Sequence, residues 1–283
     1  MFRKAAVAGT FYAGDRDSLV RQIEECFRHS LGPGKVPVAG KEEERKILGL
    51  ISPHAGYVYS GPVAAWGFSR VIEGEKPETV IILGPNHRGF ASPVAIMVGG
   101  EWETPLGKVQ IDSRLAEKLL EALPSLIQDD AKAHQREHSL EVQIPFLQYG
   151  YGSEFKIVPL CLADQSFTTS VALGKAIFKL MEENSNILLV ASTDLTHYQP
   201  QHIAEKEDEK ILQAILSGSP QNLDRLLSSY DISMCGPGPV MVVMQAISSS
   251  GLGRVKLLKY ATSGNITGDY SAVVGYASLA LER

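Results

Sequence analysis

Short apolar runs rich in β-branched residues, at 47–51, 79–83, 94–98, 155–160, 187–191, 255–260 and 272–279, alternate along the chain with stretches of helical period. Several of these runs are apolar on both faces, a pattern that suits strands covered on both sides. The helical stretches fall at 17–28, 113–122, 137–147, 168–183, 203–216, 221–228 and 239–249, with apolar residues spaced to line one face. Two have clear start signals: Asp15 or Asp17 before the first, and Ser219 followed by Pro220 before the sixth. Strand and helix alternation of this kind specifies an α/β fold built on a large, mostly parallel or mixed sheet.

The 283 residues, 44% of them hydrophobic, are enough for one α/β domain spanning 1–283. No fixed-period repeat or composition break divides the chain. The stretch 31–45, with its charge run from Lys41 to Arg45, reads as a loop or surface tether. A balance of 27 basic and 32 acidic residues gives a net charge of -5, which argues against nucleic acid as a partner. No apolar run approaches the ~20 residues that span a bilayer, and 5–9 is too short for the core of a signal peptide. With three cysteines, an odd and sparse set, a disulfide framework is not expected, and the expected location is the cytoplasm.

The residues directly after the strands carry the chemistry. The first run leads into Ser52-Pro53-His54-Ala55-Gly56-Tyr57, and the second into Gly84-Pro85-Asn86-His87-Arg88-Gly89. The run at 187–191 leads into Ser192-Thr193-Asp194-Leu195-Thr196-His197. Ligands of open α/β sheets bind outside the carboxyl ends of the strands, so these residues are expected to converge despite their separation in sequence. Cys235, in Met234-Cys235-Gly236-Pro237-Gly238-Pro239, is expected at a helix N-terminus, where the dipole favours thiolate. His138 is expected to open the helix at 137–147 and to point into the same crevice.

Two imidazoles and a thiolate, here His54, His87 and Cys235, suit a transition metal; iron, copper and zinc are all compatible. Three protein ligands leave positions open for substrate. Asp194, His197 and His138 then serve as the acid/base set. Plainer readings stand beside these. A histidine after a strand more often caps or hydrogen-bonds than ligates, and a cysteine is often a small buried hydrophobe. Cys26 and Cys161 are read as core residues and His29, His134 and His202 as solvated. Of Tyr57 and Tyr59, only Tyr57 is assigned to a pocket. Phosphate-loop, dinucleotide, His-Glu-x-x-His, Cys-x-x-Cys and Gly-x-Ser-x-Gly signatures are absent from the sequence.

At these residues the chain resembles the Memo family, also labelled AmmeMemoRadiSam system protein B in prokaryotes. The matching stretches are Ala5 to Tyr12, Ser52 to Tyr57, Leu83 to His87, Glu137 to Gln143, Ser192 to His197 and Cys235-Gly236. The resemblance implies a three-layer α/β/α sandwich similar to class III extradiol ring-cleaving dioxygenases. It also implies His54, His87 and Cys235 as metal ligands, with Asp194, His197 and His138 at neighbouring pocket positions. Those dioxygenases use two histidines and a carboxylate, so a cysteine in third place points away from simple ring cleavage. The expectation is redox or oxygenase-like chemistry with iron or copper on an unknown small-molecule or peptide substrate. The family label further implies a functional link to a radical-SAM enzyme and an AMMECR-type protein. Two other readings use the same residues. One is a peptide- or protein-binding module; the other is a metal-free cysteine hydrolase with Cys235 as nucleophile and His197 or His87 as base.

Overall fold

Every residue of the segments 47–52, 79–85 and 187–192 is buried, as strands sandwiched between helical layers require. The computed structural model describes residues 1–40, 46–89, 92–249, 251 and 253–283. The charge run at 41–45 lies outside the described residues. The chain begins with β1 (Phe2–Arg3), α1 (Arg16–Arg28), β2 (Ile47–Ser52), α2 (Tyr57–Glu73), β3 (Thr79–Pro85) and β4 (Val94–Ile96). It continues through the hairpin of β5 (Glu101–Thr104) and β6 (Gly107–Ile111), then α3 (Ser113–Ala122), β7 (Ile127–Asp129) and α4 (Ala131–His134). A 3-10 turn (Glu141–Gln143) precedes α5 (Ile144–Tyr151), β8 (Lys156–Leu162), α6 (Phe167–Glu183), β9 (Ile187–Ser192) and β10 (His197–Gln199). The last elements are α7 (Gln201–Leu216), α8 (Pro220–Ser229), α9 (Pro237–Ser248), β11 (Arg254–Thr262), α10 (Gly264–Thr267) and β12 (Val273–Glu282).

All twelve of these strands join one mixed sheet whose main order is β1-β5-β6-β8-β3-β9-β2-β12-β10, with β11 on β12 and β4 on β7 and β8. Its centre is parallel: β3 pairs with both β8 and β9, and β9 pairs with β2. β12 then runs antiparallel to β2 and carries β11 and β10. One helical layer contains α2, packed on β2 and β12 and backed by α1 and α5; the other contains α9, packed on β9, β2 and β3 and backed by α6 and α8. The architecture is the expected α/β/α arrangement. Among the described residues no helix is long and apolar enough to cross a membrane.

Local signals explain most helix starts. Asp15 caps α1, its Oδ1 accepting from the Ser18 N–H at 2.9 Å. Ser219 occupies the cap position of α8, but its side chain makes no capping bond there; Pro220 supplies the start signal. Two segments depart from the periodicity. Helix α2 is absent from the sequence pattern because Gly61, Pro62 and Gly67 look like breakers; burial along most of its length overrides their poor propensity. Conversely, 137–147 is not one helix. Pro145 lacks an N–H and fits only a first turn, so α5 starts at Ile144, and 137–140 is irregular.

That irregular segment is tied to the N-terminus by a buried ion pair. Arg3 Nη1 donates to Glu141 Oε2 at 2.6 Å, and Glu141 also accepts from the Ala6 and Val7 N–H groups and the Tyr12 hydroxyl. Arg3 further donates to the carbonyls of His134 and Glu137 and stacks 4.0 Å from the Trp102 ring centroid. His134, expected in solvent, is fully buried edge-on to Trp102, and burial pushes its imidazole down to about 3. His29 and His202 are exposed as expected, and Cys26 and Cys161 are core residues.

Candidate functional site

The order β3-β9-β2 sets three parallel carboxyl ends side by side, and these are the ends that deliver His87, Asp194 and His54. Two glycines permit the close approach of the remaining segments. A Cβ on Gly84 would lie 2.5 Å from Ser139 Oγ, and one on Gly236 would lie 2.5 Å from the Ser192 carbonyl. The first lets 137–140 cross the end of β3; the second lets Cys235 reach the end of β9. Above them opens a cleft of ≈ 670 Å³, whose walls include His54, His87, His138, Asp194, His197 and Tyr276.

The hydrogen-bond partners fix how the imidazoles are turned. The Ser192 hydroxyl donates to the Ser139 carbonyl at 2.6 Å and accepts from Gln143 Nε2. With its proton committed, it accepts from His54 Nδ1 at 2.9 Å, so His54 carries its proton on Nδ1 and its Nε2 is an acceptor. Glu137 acts likewise on His87: Oε1 accepts from Nδ1 at 2.9 Å and Oε2 from the backbone N–H at 2.7 Å. A carboxylate behind an imidazole is the usual second layer of a metal ligand. Glu137 also accepts from the N–H groups of His138 and Ser139, which shapes the irregular segment.

His138 stacks on His87 with ring centroids 4.6 Å apart, and lies edge-on to His54 at 5.3 Å. One ligating atom from each of His54, His87 and His138 lies within 4.8 Å of the other two, the only such group among the described residues. Cys235 adjoins it: Sγ is 3.2 Å from His54 Nε2 and accepts from the Asp194 N–H at 3.1 Å. Asp194 Oδ1 accepts from the His54 N–H at 2.8 Å. His197 lines the cleft outside this cluster, with Nδ1 donating to the Ser233 carbonyl at 2.8 Å and Nε2 left open.

Burial governs the charges. It holds the His54 imidazole well below its ordinary value, helped by His138 and His87, and brings His138 down to about 4 against the pull of Glu137. Both are neutral at pH 7 and fit for ligation. Burial alone would raise the Glu137 carboxyl; the hydrogen bond from the His87 ring, with the Ser139 and His87 backbone N–H bonds, outweighs it and holds the group well below the usual carboxylate range. Asp194 is raised to about 6 by burial, against the opposing His54 N–H bond. The Cys235 expectation needs correction. It does precede α9, but burial pushes its thiol well up, and the Asp194 charge pushes it further, so in the chain alone the helix N-terminus does not win.

Tyr57 also corrects the sequence reading. Its phenol is in the core and donates to the Val142 carbonyl, while Tyr59 lines the cleft. The roles of Glu137, Ser192, Gln143 and Tyr276 escape the sequence reading. Only Glu137, beside His138, and Ser192, at a strand end, carry any positional signal.

The fold and site define a class of α/β/α protein that gathers imidazoles and a thiol at adjacent parallel strand ends. The chain belongs to the Memo family: the family described as Memo-like protein matches residues 3–280. It is 46% identical over 284 residues to a MEMO1 family protein of Methanopyrus kandleri, covering 100% of both chains. A MEMO1 family protein of Thermotoga maritima is 46% identical over 282 residues, covering 99% of this chain and 100% of the relative. Among solved structures, an uncharacterized protein from Escherichia coli K12 matches with a TM-score of 0.59 and 15% identity, over 83% of this chain and 99% of that one. At that identity the likeness concerns the fold alone.

Proposed function

We propose that this Memo family chain binds a transition metal in the cleft, iron or copper with zinc also compatible, for redox or oxygenase-like chemistry. The ligands in this reading are His54 Nε2, His87 Nε2 and Cys235 Sγ, with His138 as a further nitrogen donor. One observation carries it: acceptor groups behind the His54 and His87 rings take their Nδ1 protons and leave both Nε2 lone pairs available beside a third imidazole and a thiol. A soft sulfur with two imidazoles suits these ions. When bound, the metal supplies electron transfer or Lewis acidity.

The chain's own residues do the rest. Glu137 and Ser192 hold the His87 and His54 rings in place. Asp194, brought to about 6, is suited to hold or pass a proton near neutral pH, and His197 Nε2 is open to the cleft beside it. A small-molecule or peptide substrate, a link to a radical-SAM enzyme and an AMMECR-type protein, and a cytoplasmic location belong to the same proposal. A hydrolase using His197 or His87 as base has less support, because the imidazole against Cys235 Sγ is that of His54.

Metal analysis by plasma mass spectrometry, on protein purified without a metal-affinity tag, tests this reading. Near-stoichiometric iron or copper is expected in the wild type, with loss in His87→Ala and Cys235→Ser. His138→Ala measures the further donor. A wild type that is metal-free and refuses added iron, copper and zinc overturns it.

A further inference from the structure

The cleft walls also bear on what enters. Four aromatic rings, Phe11, Tyr59, Tyr198 and Tyr276, line it, and the carboxyls there are those of Asp194 and Asp269. No lysine or arginine among the described residues lines it. The nearby cation, Arg88, whose charge reaches His138, donates its Nε to the Arg136 carbonyl and stands outside the lining. An anionic ligand would therefore meet carboxylates and ring faces, both of negative potential.

Tyr276 supplies an independent observation. It projects from β12 and is only 2% exposed, yet its hydroxyl has no hydrogen-bond partner among the described residues. Because Tyr276 lines the cleft, its hydroxyl opens on it and is free to meet a ligand there. Tyr198 beside it is held at φ 56, a left-handed conformation uncommon for a residue other than glycine.

We propose that the cleft recognises an alkylammonium group, whose N–H donates to Tyr276 Oη, whose charge faces Asp269, and whose carbon skeleton lies against the aromatic walls. Rings and a carboxylate without competing cations are the usual surroundings of bound ammonium. The inference rests on the cleft being the functional site, and it names the substrate class without requiring the metal. The ammonium belongs to a free amine or to a lysine side chain of a peptide, and the two are separable by experiment.

Calorimetric titration with benzylamine, benzyl alcohol and benzoate, on protein as purified and after chelation, tests it. Benzylamine is expected to bind roughly tenfold more tightly than benzyl alcohol, and benzoate more weakly than either. Asp269→Asn and Tyr276→Phe are each expected to remove much of the preference for benzylamine over benzyl alcohol. Asp269 is exposed, so its variant decides the matter if Tyr276→Phe does not fold. Benzoate equalling benzylamine, no binding by any probe, or a preference untouched by Asp269→Asn overturns the inference. Titration with a capped Gly-Lys-Gly peptide identifies the source: tighter binding than benzylamine assigns a lysine side chain, weaker binding a free amine. A cation preference that survives chelation, in protein that never takes up metal, would leave this inference standing while the metal reading fell.

Discussion

Glu137 and Glu141 lie four residues apart, one in the irregular segment and the other opening the 3-10 turn, both fully buried, and they do opposite things. Around Glu141 the hydrogen-bond inventory closes: a guanidinium, a phenol and two backbone N–H groups meet the carboxylate, and none of them faces the cleft. Around Glu137 the inventory stays open on its far side. The carboxylate holds His87, and the Nε2 lone pair of His87 remains available at the cleft. A buried polar cluster that saturates itself specifies structure, whereas one that leaves lone pairs toward a cavity is prepared for a ligand.

The largest expected effect breaks the closed half. Arg3→Ala removes one partner of a buried pair and leaves the Glu141 charge uncompensated, which should cost about 3–5 kcal/mol in urea unfolding. Metal bound per folded chain should stay unchanged, and a parallel loss of metal would erase the distinction between the two regions. Glu137→Gln should act on both counts. We expect about 1–3 kcal/mol of lost stability and metal affinity weaker by about 10–100-fold, read from the same unfolding curves and from competition with a chelator. His87→Ala should invert the Arg3 result, abolishing metal binding while costing only about 1–3 kcal/mol in the metal-free chain, since the buried Glu137 carboxylate loses one donor but keeps its backbone N–H bonds.

Acid should sharpen the contrast. His138 at about 4 lies below the ~6.5 of an unfolded histidine, so between these values the unfolded chain takes up the proton and the native chain does not. Stability from this group is therefore lost as pH falls from about 6.5 to 4. His134 at about 3 and the depressed His54 act in the same direction. Asp194, raised to about 6, and Asp208, raised by burial, oppose them, because their native forms hold a proton that the unfolded ones release. Three groups against two give a net loss, measurable as a falling urea midpoint between pH 7 and pH 5, with metal released as protons compete. A midpoint that rises instead would contradict the buried, neutral histidines. The smallest effect belongs to Lys118→Ala. Its contact with Glu183 is as short as that of Arg3 with Glu141, 2.6 Å, but both partners are solvated, so the midpoint should not move.

Much of this is legible in the chain. His54, His87 and Asp194 come directly after apolar runs, and a strand apolar on both faces can only be a central one, so its end must open on the crevice. His138 is expected in the pocket, but on a helix; Pro145 gives the local clue that the helix starts later, and the Glu137 bonds that hold the irregular turn are invisible in the sequence. Tyr57 and His134 are misplaced because one residue's exposure depends on what packs against it, and neither Val142 nor Trp102 is near in sequence.

The sequence by itself determined the α/β class, the strands that form the parallel centre, the family and the residue types at the strand ends, because periodicity and short motifs are local properties of the chain. Only the tertiary structure decided that β3, β9 and β2 are adjacent, that Ser192 and Glu137 take the Nδ1 protons, that Cys235 lies against His54, and that Tyr276 opens on the cleft. Each of these depends on distances and desolvation between segments far apart in the chain, and burial, which sets both the tautomers and the charges, exists only once the whole sheet has been assembled and covered.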